Sequence, residues 1–408
     1  MKKNYLIPKT LKGFRDFLPE DQILRETVIE KIKKIFQSYG FDPIETPALE
    51  YEETLLNKYG EENNKLLYLF QDKGKRRIGL RYDQTVPLAR LAAQYQNLVK
   101  PFKRYQIQPV WRAENPQKGR YREFYQCDID IVGSESFFAD VEIIILTLTV
   151  LKKLGFKNIK MLINDREIFK NISSTLIVSI DKLEKIGQEE VIKELINKGL
   201  TETQAKQLLT SLKKSKPTET LKKIFQELKK SGFQENKDYI FSPTLARGLD
   251  YYTSTIFEVV TNNYQVGSLG GGGRYDQLIG QFTGQDIPAV GFAFGFDRII
   301  EAIKSLNLIK IKKTNTQVLV TIFSQKLFNQ SLTITNLLRK NNINTEIYLN
   351  SQAKLEKQLK YADKKGIPYV IIIGPEEKEK NLVKIKNMKT GEQKEVQINK
   401  LLDYLNSR

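Results

Sequence analysis

The chain contains no histidine, and Cys127 is its only cysteine. A zinc site of the usual histidine and cysteine type is therefore excluded, as is a catalytic triad or acid–base relay built on histidine. A single cysteine also rules out a disulfide bond within the chain. Any chemistry must come from Arg, Lys, Asp, Glu, Gln and Tyr side chains, backbone groups or a hard metal ion. This set favours the handling of phosphate charge over attack by a nucleophilic side chain.

Long apolar runs are also missing from the sequence. No stretch reaches the length that a membrane span needs, and the basic start is followed by no apolar segment of the kind found in secretion signals. We therefore expect a cytoplasmic protein without a membrane partner. With 40% apolar and 28% charged residues, the 408 residues suffice for two or three domains with cores of their own.

The net charge of the chain is strongly positive, at +18. A cationic surface attracts polyanions such as nucleic acids. Lysine-rich helices that only keep a protein in solution produce the same excess, so charge alone leaves both interpretations open.

Helical and extended patterns alternate along the chain. Apolar residues at helical spacing predict a helix over 23–39 that Gly40 ends, and prolines restrict the extended stretch 41–49 to the edge of a sheet. A lysine-rich helical module is expected at about 175–235, where a solvated scaffold is the alternative. Alternating strands and helices predict a compact α/β domain at the C-terminus. Other strands are predicted at 245–260, 287–295, 318–323, 345–349 and 369–373, and other helices at 143–154, from 296, 327–340 and 354–365.

Residues 100–133 are predicted to form two long strands joined by a polar loop. Because strand side chains alternate between faces, Arg112 and Glu114 share one face of the first strand. One face of the second strand carries polar and aromatic side chains, and the other is expected to be the buried side. The polar face consists of Arg122, Phe124, Gln126, Asp128 and Asp130. Such a floor suits a charged ligand with a planar ring, although an ordinary hairpin with a wet outer face explains the pattern equally well.

The hairpin also resembles a known motif. Trp-Arg-Ala-Glu at 111–114, followed after the loop by Arg-Glu-Phe at 122–124, resembles motif 2 of the class II aminoacyl-tRNA synthetases. The resemblance implies that Arg112 holds the α-phosphate of ATP. It also implies that Glu114 reads the adenine and that Phe124 stacks on it.

Two further segments resemble signatures of the histidyl-tRNA synthetases. The first is Ala-Arg-Gly-Leu-Asp-Tyr-Tyr-Thr at 246–253, and the second is Gly-Gly-Gly-Gly-Arg-Tyr-Asp at 270–276. Taken singly, the first fits a turn before a strand and the second fits a flexible loop, since glycine permits both sharp turns and close backbone approach. Together they resemble the walls of the histidine pocket in that family.

This resemblance implies a set of residues that bind the amino acid. Asp83 and Thr85 would hold the α-amino group of histidine. Gln126 would lie by its backbone, while Asp130 and Tyr252 would bind its imidazole ring. Asp stands at positions 83 and 130 where some family members carry Glu, so these contacts are expected to be adjusted or bridged by water. The complete implied set is Asp83, Thr85, Arg112, Gln126, Asp130, Arg247, Tyr251, Tyr252 and Tyr275.

The implied reaction is the attack of the histidine carboxylate on ATP, followed by transfer of histidine to the 3′ end of tRNA(His). Arg112 and Arg247 would be the catalytic residues, flanking the α-phosphate and stabilising its developing charge. Arg298 lies in segment 287–298, which resembles motif 3; Arg298 and Arg120, together with Mg²⁺, would bind the outer phosphates. The implied ATP site is Arg112, Glu114, Arg120, Phe124 and Arg298, and the tRNA acceptor end would meet Gln117 and Lys118.

The family also sets the expected architecture. We expect an α+β fold, with a class II antiparallel sheet flanked by helices over 1–312 and the helical insertion within it. An α/β anticodon-binding domain would follow over 313–408. Between residues 315 and 408 the chain has sixteen Lys and Arg against nine Asp and Glu, which suits an RNA partner. The expected partners are tRNA(His), L-histidine, ATP and a second copy of the chain in a homodimer.

Three alternative functions are compatible with parts of the sequence. One is a non-catalytic, synthetase-like regulatory subunit of histidine biosynthesis, which typically lacks the tail domain and has a degraded Arg-Gly-Leu-Asp-Tyr-Tyr signature. Another is a class II synthetase for threonine, proline or glycine, and the third is a module that captures tRNA without charging it. The signatures at 246–253 and 270–276 and the full set of arginines favour the histidine enzyme over all three.

Overall fold

The computed structural model describes residues 6–56, 58–59, 64–117, 119–247, 251–264 and 267–407. The chain forms two compact units. The larger consists of Met1–Asp16 and Val28–Ile309, and the smaller of Phe17–Thr27 and Lys310–Arg408. None of the helices in these ranges is long and apolar enough to cross a membrane.

The strands up to residue 309 are, in chain order, β1 Asp42–Pro43, β2 Leu49–Tyr51, β3 Leu69–Gln71, β4 Arg77–Leu80, β5 Phe102–Trp111, β6 Glu123–Val132, β7 Ile159–Asp165, β8 Tyr239–Phe241, β9 Thr255–Thr261, β10 Gly270–Arg274 and β11 Ala289–Gly295. The helices over the same part are α1 Pro19–Ser38, α2 Glu52–Leu55, α3 Thr85–Gln94, α4 Phe137–Lys153, α5 Ser174–Ile180, α6 Leu183–Asn197, α7 Glu202–Lys213, α8 Glu219–Lys230, α9 Gly280–Thr283 and α10 Phe296–Ser305. A 3₁₀ turn at Arg166–Phe169 follows β7.

An eight-stranded sheet with the order β1-β5-β6-β11-β10-β9-β7-β8 organises the larger unit. Within this sheet, the pairs β5–β6, β6–β11, β11–β10, β10–β9 and β9–β7 are antiparallel. The pairs at the two edges, β1 with β5 and β7 with β8, are parallel. A second sheet of three strands has the order β2-β4-β3. The predicted α+β class, with an antiparallel sheet and flanking helices, is therefore confirmed.

Helix α4 packs on this large sheet, against β6, β7 and β11. Its side chains are apolar around most of its circumference, and Ile143, Ile144 and Leu148 are fully buried, as expected for a helix covered on several sides. The Ser136 side chain caps the helix by accepting a hydrogen bond from the backbone N–H of Phe138. The helix predicted over 143–154 therefore begins several residues earlier, at its cap.

One prediction around the signature segments is wrong. The strand predicted over 245–260 begins only at Thr255, and the described residues of 245–254 form no strand. The glycine run, for which a flexible loop was an alternative, is strand β10 between β9 and β11. Glycine has little intrinsic preference for strands, but the two neighbouring strands satisfy the backbone hydrogen bonds of β10 and hold it extended. The glycine content of this segment therefore does not indicate that it forms a strand.

The lysine-rich module is helical, as predicted, and consists of α5, α6, α7 and α8. Its inner face is apolar: Ile180, Val191 and Leu209 are buried. Helix α8 buries Leu221, Ile224 and Leu228 and contacts α4. The lysines lie on the opposite, exposed faces, which is the usual arrangement for an amphipathic surface helix.

The smaller unit contains a five-stranded mixed sheet with the order β13-β12-β14-β15-β16, and the predicted strand–helix alternation is confirmed up to Ile372. A C-terminal hairpin, β15–β16, was not predicted; its second strand, β16, is an exposed edge strand with charged side chains. The strands are β12 Val318–Val320, β13 Thr345–Ile347, β14 Tyr369–Ile372, β15 Leu382–Asn387 and β16 Gln393–Gln397. The helices are α11 Phe328–Lys340, α12 Leu355–Lys365, α13 Pro375–Glu379 and α14 Leu401–Asn406, with 3₁₀ turns at Gln325–Leu327 and Ile398–Lys400.

Candidate active site

A cavity of about 620 Å³ opens on the large sheet of the larger unit. It brings together residues from segments that are far apart in the sequence, including the hairpin, both signature segments and the start of α10. Of the fifteen residues predicted for the site, Lys118 lies outside the described residues. The other fourteen all line this cavity: Asp83, Thr85, Arg112, Glu114, Gln117, Arg120, Phe124, Gln126, Asp130, Arg247, Tyr251, Tyr252, Tyr275 and Arg298.

Strand β6 forms the floor of the cavity. Every second residue along it faces the cavity, in the order Phe124, Gln126, Asp128 and Asp130. At ~3.4 Å per residue this row extends over ~20 Å. The floor therefore changes along its length from an aromatic ring, through an amide, to two carboxylates.

The prediction for this strand is wrong for Arg122, and one of its two alternatives, the wet outer face, is excluded. Arg122 precedes β6 and does not line the cavity; its Nε donates to the Glu114 carbonyl oxygen at 3.1 Å. The polar face is also not a wet outer face, since Gln126, Asp128 and Asp130 are at most 7% exposed. Both faces of the strand are buried, because further segments of the chain cover the polar side and helices cover the apolar side.

Three arginines near the aromatic end form what we call the arginine cluster: Arg112, Arg120 and Arg298. The Arg112 guanidinium carbon lies 5.0 Å from the centre of the Phe124 ring. Arg298 Nη1 donates to the Ser268 carbonyl oxygen at 3.0 Å. Burial, and after it the neighbouring charge of Arg120, lowers the pKa of Arg298. Cations that repel one another in a partly buried cleft favour a polyanionic ligand.

Glu114 lies beside this cluster, with its Oε2 atom 3.7 Å from Arg120 Nη1. The Glu114 side chain is half-buried and the Gln117 side chain is exposed. The backbones of Gln117 and Arg120 pair with each other through hydrogen bonds of 2.8 and 3.1 Å. This tight turn brings Gln117, Gly119 and Arg120 into the lining of the cavity.

Arg247 enters the cavity from the first signature segment. Its Nη1 atom lies 3.1 Å from Glu258 Oε2, and its guanidinium carbon lies 5.7 Å from the centre of the Tyr252 ring. The guanidinium group lies directly over Gly271, where a methyl group would overlap it. Burial alone would lower the pKa of Arg247, but Tyr252 and Glu258 outweigh it and raise the pKa. Arg247 is therefore a fixed cation.

The same substitution at two adjacent glycines of β10 is expected to have different effects, on activity at Gly271 and on stability at Gly272. Gly271→Ala should fold, because the new methyl group meets only the movable end of Arg247, but displacing that group should lower ATP–pyrophosphate exchange roughly 10²-fold. Gly272→Ala would push a methyl group into the backbone oxygen of Gly291, which should destabilise the fold by about 1–3 kcal/mol or more. Thermal unfolding and exchange assays on the two variants check this. Equal melting temperatures, or a fully active Gly271→Ala, would contradict it.

Three carboxylates that line the cavity form what we call the acid cluster: Asp83, Asp128 and Asp130. Asp83 follows β4 and caps the start of α3, where its Oδ1 accepts from the Val86 backbone N–H at 3.0 Å. The same oxygen accepts from the Tyr59 hydroxyl at 3.1 Å. Burial raises the pKa of each of the three acids above its ordinary value. Buried acids with raised pKa values are typical of functional sites.

Asp130 is held by two partners. Arg104 on β5, directly opposite in the strand register, places Nη2 2.6 Å from its carboxylate. The Tyr275 hydroxyl donates to Asp130 Oδ1 at 2.5 Å. Tyr251 and Tyr252 line the wall beside them with ring centres 4.8 Å apart. Phenol and carboxylate groups of this kind suit the N–H groups of a small aromatic heterocycle.

Several residues that line the cavity had no predicted role: Tyr82, Tyr121, Asp128, Asp181 and Glu258. The alternation of β6 placed Asp128 on the correct face, and the pairing of β9 with β10 places Glu258 opposite Gly271. Arg104, which lies opposite Asp130 in the hairpin register, was also missed. Asp181 follows helix α5, and no local pattern in the sequence indicates that it reaches the cavity.

Comparison with known proteins gives a consistent result. A family model described as histidyl-tRNA synthetase matches residues 13–299, and one described as an anticodon binding domain matches residues 317–408. The histidine–tRNA ligase of Cytophaga hutchinsonii is 40% identical over 451 aligned positions, covering 98% of this chain and 99% of that protein. The crystal structure of histidyl-tRNA synthetase from Nostoc aligns with a TM-score of 0.84 at 29% identity, covering 99% of this chain and 100% of that one.

A structure from Bacillus halodurans described as an ATP phosphoribosyltransferase regulatory subunit/histidyl-tRNA synthetase also aligns, with a TM-score of 0.70 at 22% identity. That likeness shows a shared fold alone, and the regulatory alternative is not better supported than the enzyme. The family model covers well over half of the 408 residues. The chain therefore belongs to the histidyl-tRNA synthetase family, a family of aminoacyl-tRNA ligases that use ATP.

Proposed function

We propose that this cavity activates histidine with ATP, and that the residues predicted from the sequence carry out the reaction. The observation that carries the proposal is the layout of the cavity. Phe124, with Arg112 beside it, lies at one end of β6, and Asp128 and Asp130 lie toward the other. A nucleotide triphosphate suits the first end, since it combines a planar base with several negative charges. The ammonium and imidazole groups of histidine suit the second.

In the proposed reaction, a carboxylate oxygen of histidine attacks the α-phosphorus of ATP. The bond to the bridging oxygen breaks, and pyrophosphate leaves with the electron pair. Arg112 and Arg247 would flank the α-phosphate and stabilise the charge that develops on it. The substrate carboxylate is already ionised, so the protein contributes alignment and electrostatics without a nucleophile of its own. The 3′-terminal hydroxyl of tRNA(His) then attacks the activated carbonyl and displaces AMP.

Mg²⁺ fits this site as a companion of the nucleotide. No group of three or more acids that could hold a metal ion occurs among the described residues. Mg²⁺ needs no such cage, because it is commonly held by phosphate oxygens, waters and one or two carboxylates. Glu258 is the half-buried carboxylate beside Arg247 in the cavity and would be its protein ligand. The ion would supply additional neutralisation of the outer phosphates, which Arg120 and Arg298 would bind.

Phe124 is expected to serve ATP and not histidine. Phe124→Leu should raise the KM for ATP about 10-fold, because stacking of a base on an aromatic ring contributes about 1–3 kcal/mol. The KM for histidine should stay unchanged. Phe138→Leu is a matched control, since Phe138 is 57% exposed on α4 and does not line the cavity. Initial-rate kinetics with either substrate varied check this, and an equal rise in both constants would argue against stacking.

The proposed activity is tested by ATP–pyrophosphate exchange with each of the twenty amino acids. Exchange that depends on histidine alone is the expected result. Exchange with threonine, proline or glycine would indicate a different synthetase. Binding of tRNA without any exchange would indicate a capture module, and the absence of both would favour a regulatory subunit.

The remaining assignments follow from family membership. We propose that residues 1–312 form the catalytic domain, with the helical insertion at about 175–235, and that residues 313–408 bind the anticodon. Gln117 and Lys118 would contact the acceptor end of tRNA(His). The enzyme would act in the cytoplasm, where charged tRNA feeds translation.

We also propose a homodimer. Leu49, Tyr51 and Phe70 on the three-stranded sheet are 42–53% exposed, and adjoining exposed apolar side chains are typical of interaction surfaces. Sedimentation equilibrium decides this: the mass of a single 47.2 kDa chain at working concentrations would contradict the dimer.

A further inference from the structure

One member of the acid cluster has no role in the reaction proposed above. Asp128 lies two residues before Asp130 on the cavity side of β6 and is 2% exposed. Gln126 Nε2 lies 3.4 Å from its Oδ1 atom. Its Oδ2 atom accepts no hydrogen bond from any residue that the structure describes. A buried carboxylate with an oxygen that accepts no hydrogen bond destabilises the folded protein unless another group compensates its charge.

The contrast with Asp130 is informative, because both acids lie on the same strand and the same face. Asp130 has the fully buried Arg104 at 2.6 Å and the Tyr275 hydroxyl at 2.5 Å. Asp128 has no ion pair of its own within the described ranges, and burial raises its pKa well above the ordinary value, with Arg104 offsetting this only in part. The charge of Asp130 is thus compensated by Arg104 of the same chain, whereas Asp128 is left to form an ion pair with a bound cation.

Three further acceptor atoms of residues that line the cavity are buried and accept no hydrogen bond within the described part of the chain: Asp83 Oδ2, Gln126 Oε1 and Asp130 Oδ2. Asp130 Oδ2 still has a counter-charge, since Arg104 Nη2 lies 2.6 Å from it. The other two and Asp128 Oδ2 make three acceptors, two of them on carboxylates, on residues that line one cavity. An ammonium group presents three N–H donors and one positive charge, so it matches this set in both number and sign.

We propose that Asp128 binds the α-ammonium group of the histidine substrate, together with Asp83 and Gln126, and makes the enzyme selective for a free amino group. This inference rests on the proposed histidine activation and adds a residue to it. Asp128 and Asp130 are ~7 Å apart along the strand, which suits one small amino acid with its ammonium at the first acid and its imidazole at the second. A ligand without the amino group would leave Asp128 buried and unpaired, which strongly disfavours binding.

The test measures binding of three ligands by isothermal titration calorimetry. Histidine and histidinol carry the ammonium group, and 3-(imidazol-4-yl)propionate lacks it. Asp128→Asn should raise the Kd of histidine and histidinol about 10²-fold, as expected when one partner of a buried charge pair is removed. The Kd of the propionate should not rise, and it should fall to the extent that the unpaired Asp128 carboxylate disfavours this ligand. Asp130→Asn is the matched variant on the same strand face, and it should weaken all three ligands, since all contain the imidazole ring.

Folding of each variant is checked by thermal unfolding, and Asp128→Glu should restore part of the preference for the amine. A uniform loss across the three ligands, or unchanged binding of histidine to Asp128→Asn, would overturn the assignment of Asp128. Failure of the unsubstituted enzyme to bind histidine would instead overturn the proposed function. The two failures are therefore distinguishable.

Discussion

Arg247→Ala is expected to abolish most adenylate formation while the protein stays folded. Arg247 is the cation that the first signature segment brings into the cavity, where it would stabilise the charge developing on the α-phosphate. Removing one such donor typically lowers kcat by ~10²–10³-fold. Histidine-dependent ATP–pyrophosphate exchange measures the loss. Glu258, the ion-pair partner of Arg247, is 23% exposed, so water can solvate it and the fold should survive.

The control for this variant is another arginine outside the cavity. Arg76 is 64% exposed and pairs with Asp72 in the β3–β4 turn, so Arg76→Ala should exchange at the normal rate. Arg247→Lys separates charge from shape, since lysine keeps the charge but loses the planar fork of donors. We expect it to recover only part of the activity. Normal exchange by Arg247→Ala would remove Arg247 from the mechanism.

Arg104→Met is expected to cost more stability than any other single substitution considered for this protein. Arg104 is completely buried and is the counter-cation of Asp130, itself 3% exposed. Breaking a buried pair from one side leaves the other charge uncompensated and costs ~3–5 kcal/mol. Chemical denaturation monitored by circular dichroism gives the change in the free energy of unfolding. A methionine of similar length keeps the packing, so the effect isolates the charge.

The loss should depend on pH in a defined direction. Burial raises the pKa of Asp130, while Arg104 and Tyr275 counteract part of that rise. Without Arg104 the folded pKa rises further, so the folded state keeps a proton that the unfolded state releases near pH ~3.9. Above that pH, stability falls as pH rises toward the folded pKa. The deficit of Arg104→Met should therefore be smaller at pH 5 than at pH 8.

Arg77→Met provides the matched surface case. Arg77 is 68% exposed and its partner is Glu52, and exposed ion pairs contribute little because water and salt screen them. We expect no measurable change in its unfolding. If Arg104→Met unfolded like Arg77→Met, or if its deficit were the same at both pH values, the buried pair would not hold Asp130 as described.

Much of the site was predictable because its residues lie in segments with strong local patterns. The alternation of side chains along β6 predicts that Phe124, Gln126 and Asp130 share one face, and all three line the cavity. Helices were predicted correctly wherever apolar spacing was regular, as in the C-terminal unit. The strand at the glycine segment was not predicted, because its extended conformation comes from pairing with β9 and β11 and not from glycine itself.

The periodicity of the sequence could not separate the roles of Asp128 and Asp130. They are the same residue type on the same face of the same strand, so periodicity treats them alike. The structure differs because Arg104 lies opposite one of them and not the other. Contact across a hairpin depends on register, which a turn and the surrounding core set together.

The sequence by itself determined the chemistry available to this protein: no histidine, one cysteine, and arginines and acids in an order shared with one enzyme family. Only the tertiary structure decided which of those charges are neutralised within the protein and which face the cavity. The physical reason is that the energy of a buried charge depends on the few ångströms around it. Those surroundings are supplied by segments far away in the chain, as Arg104 and Tyr275 are for Asp130.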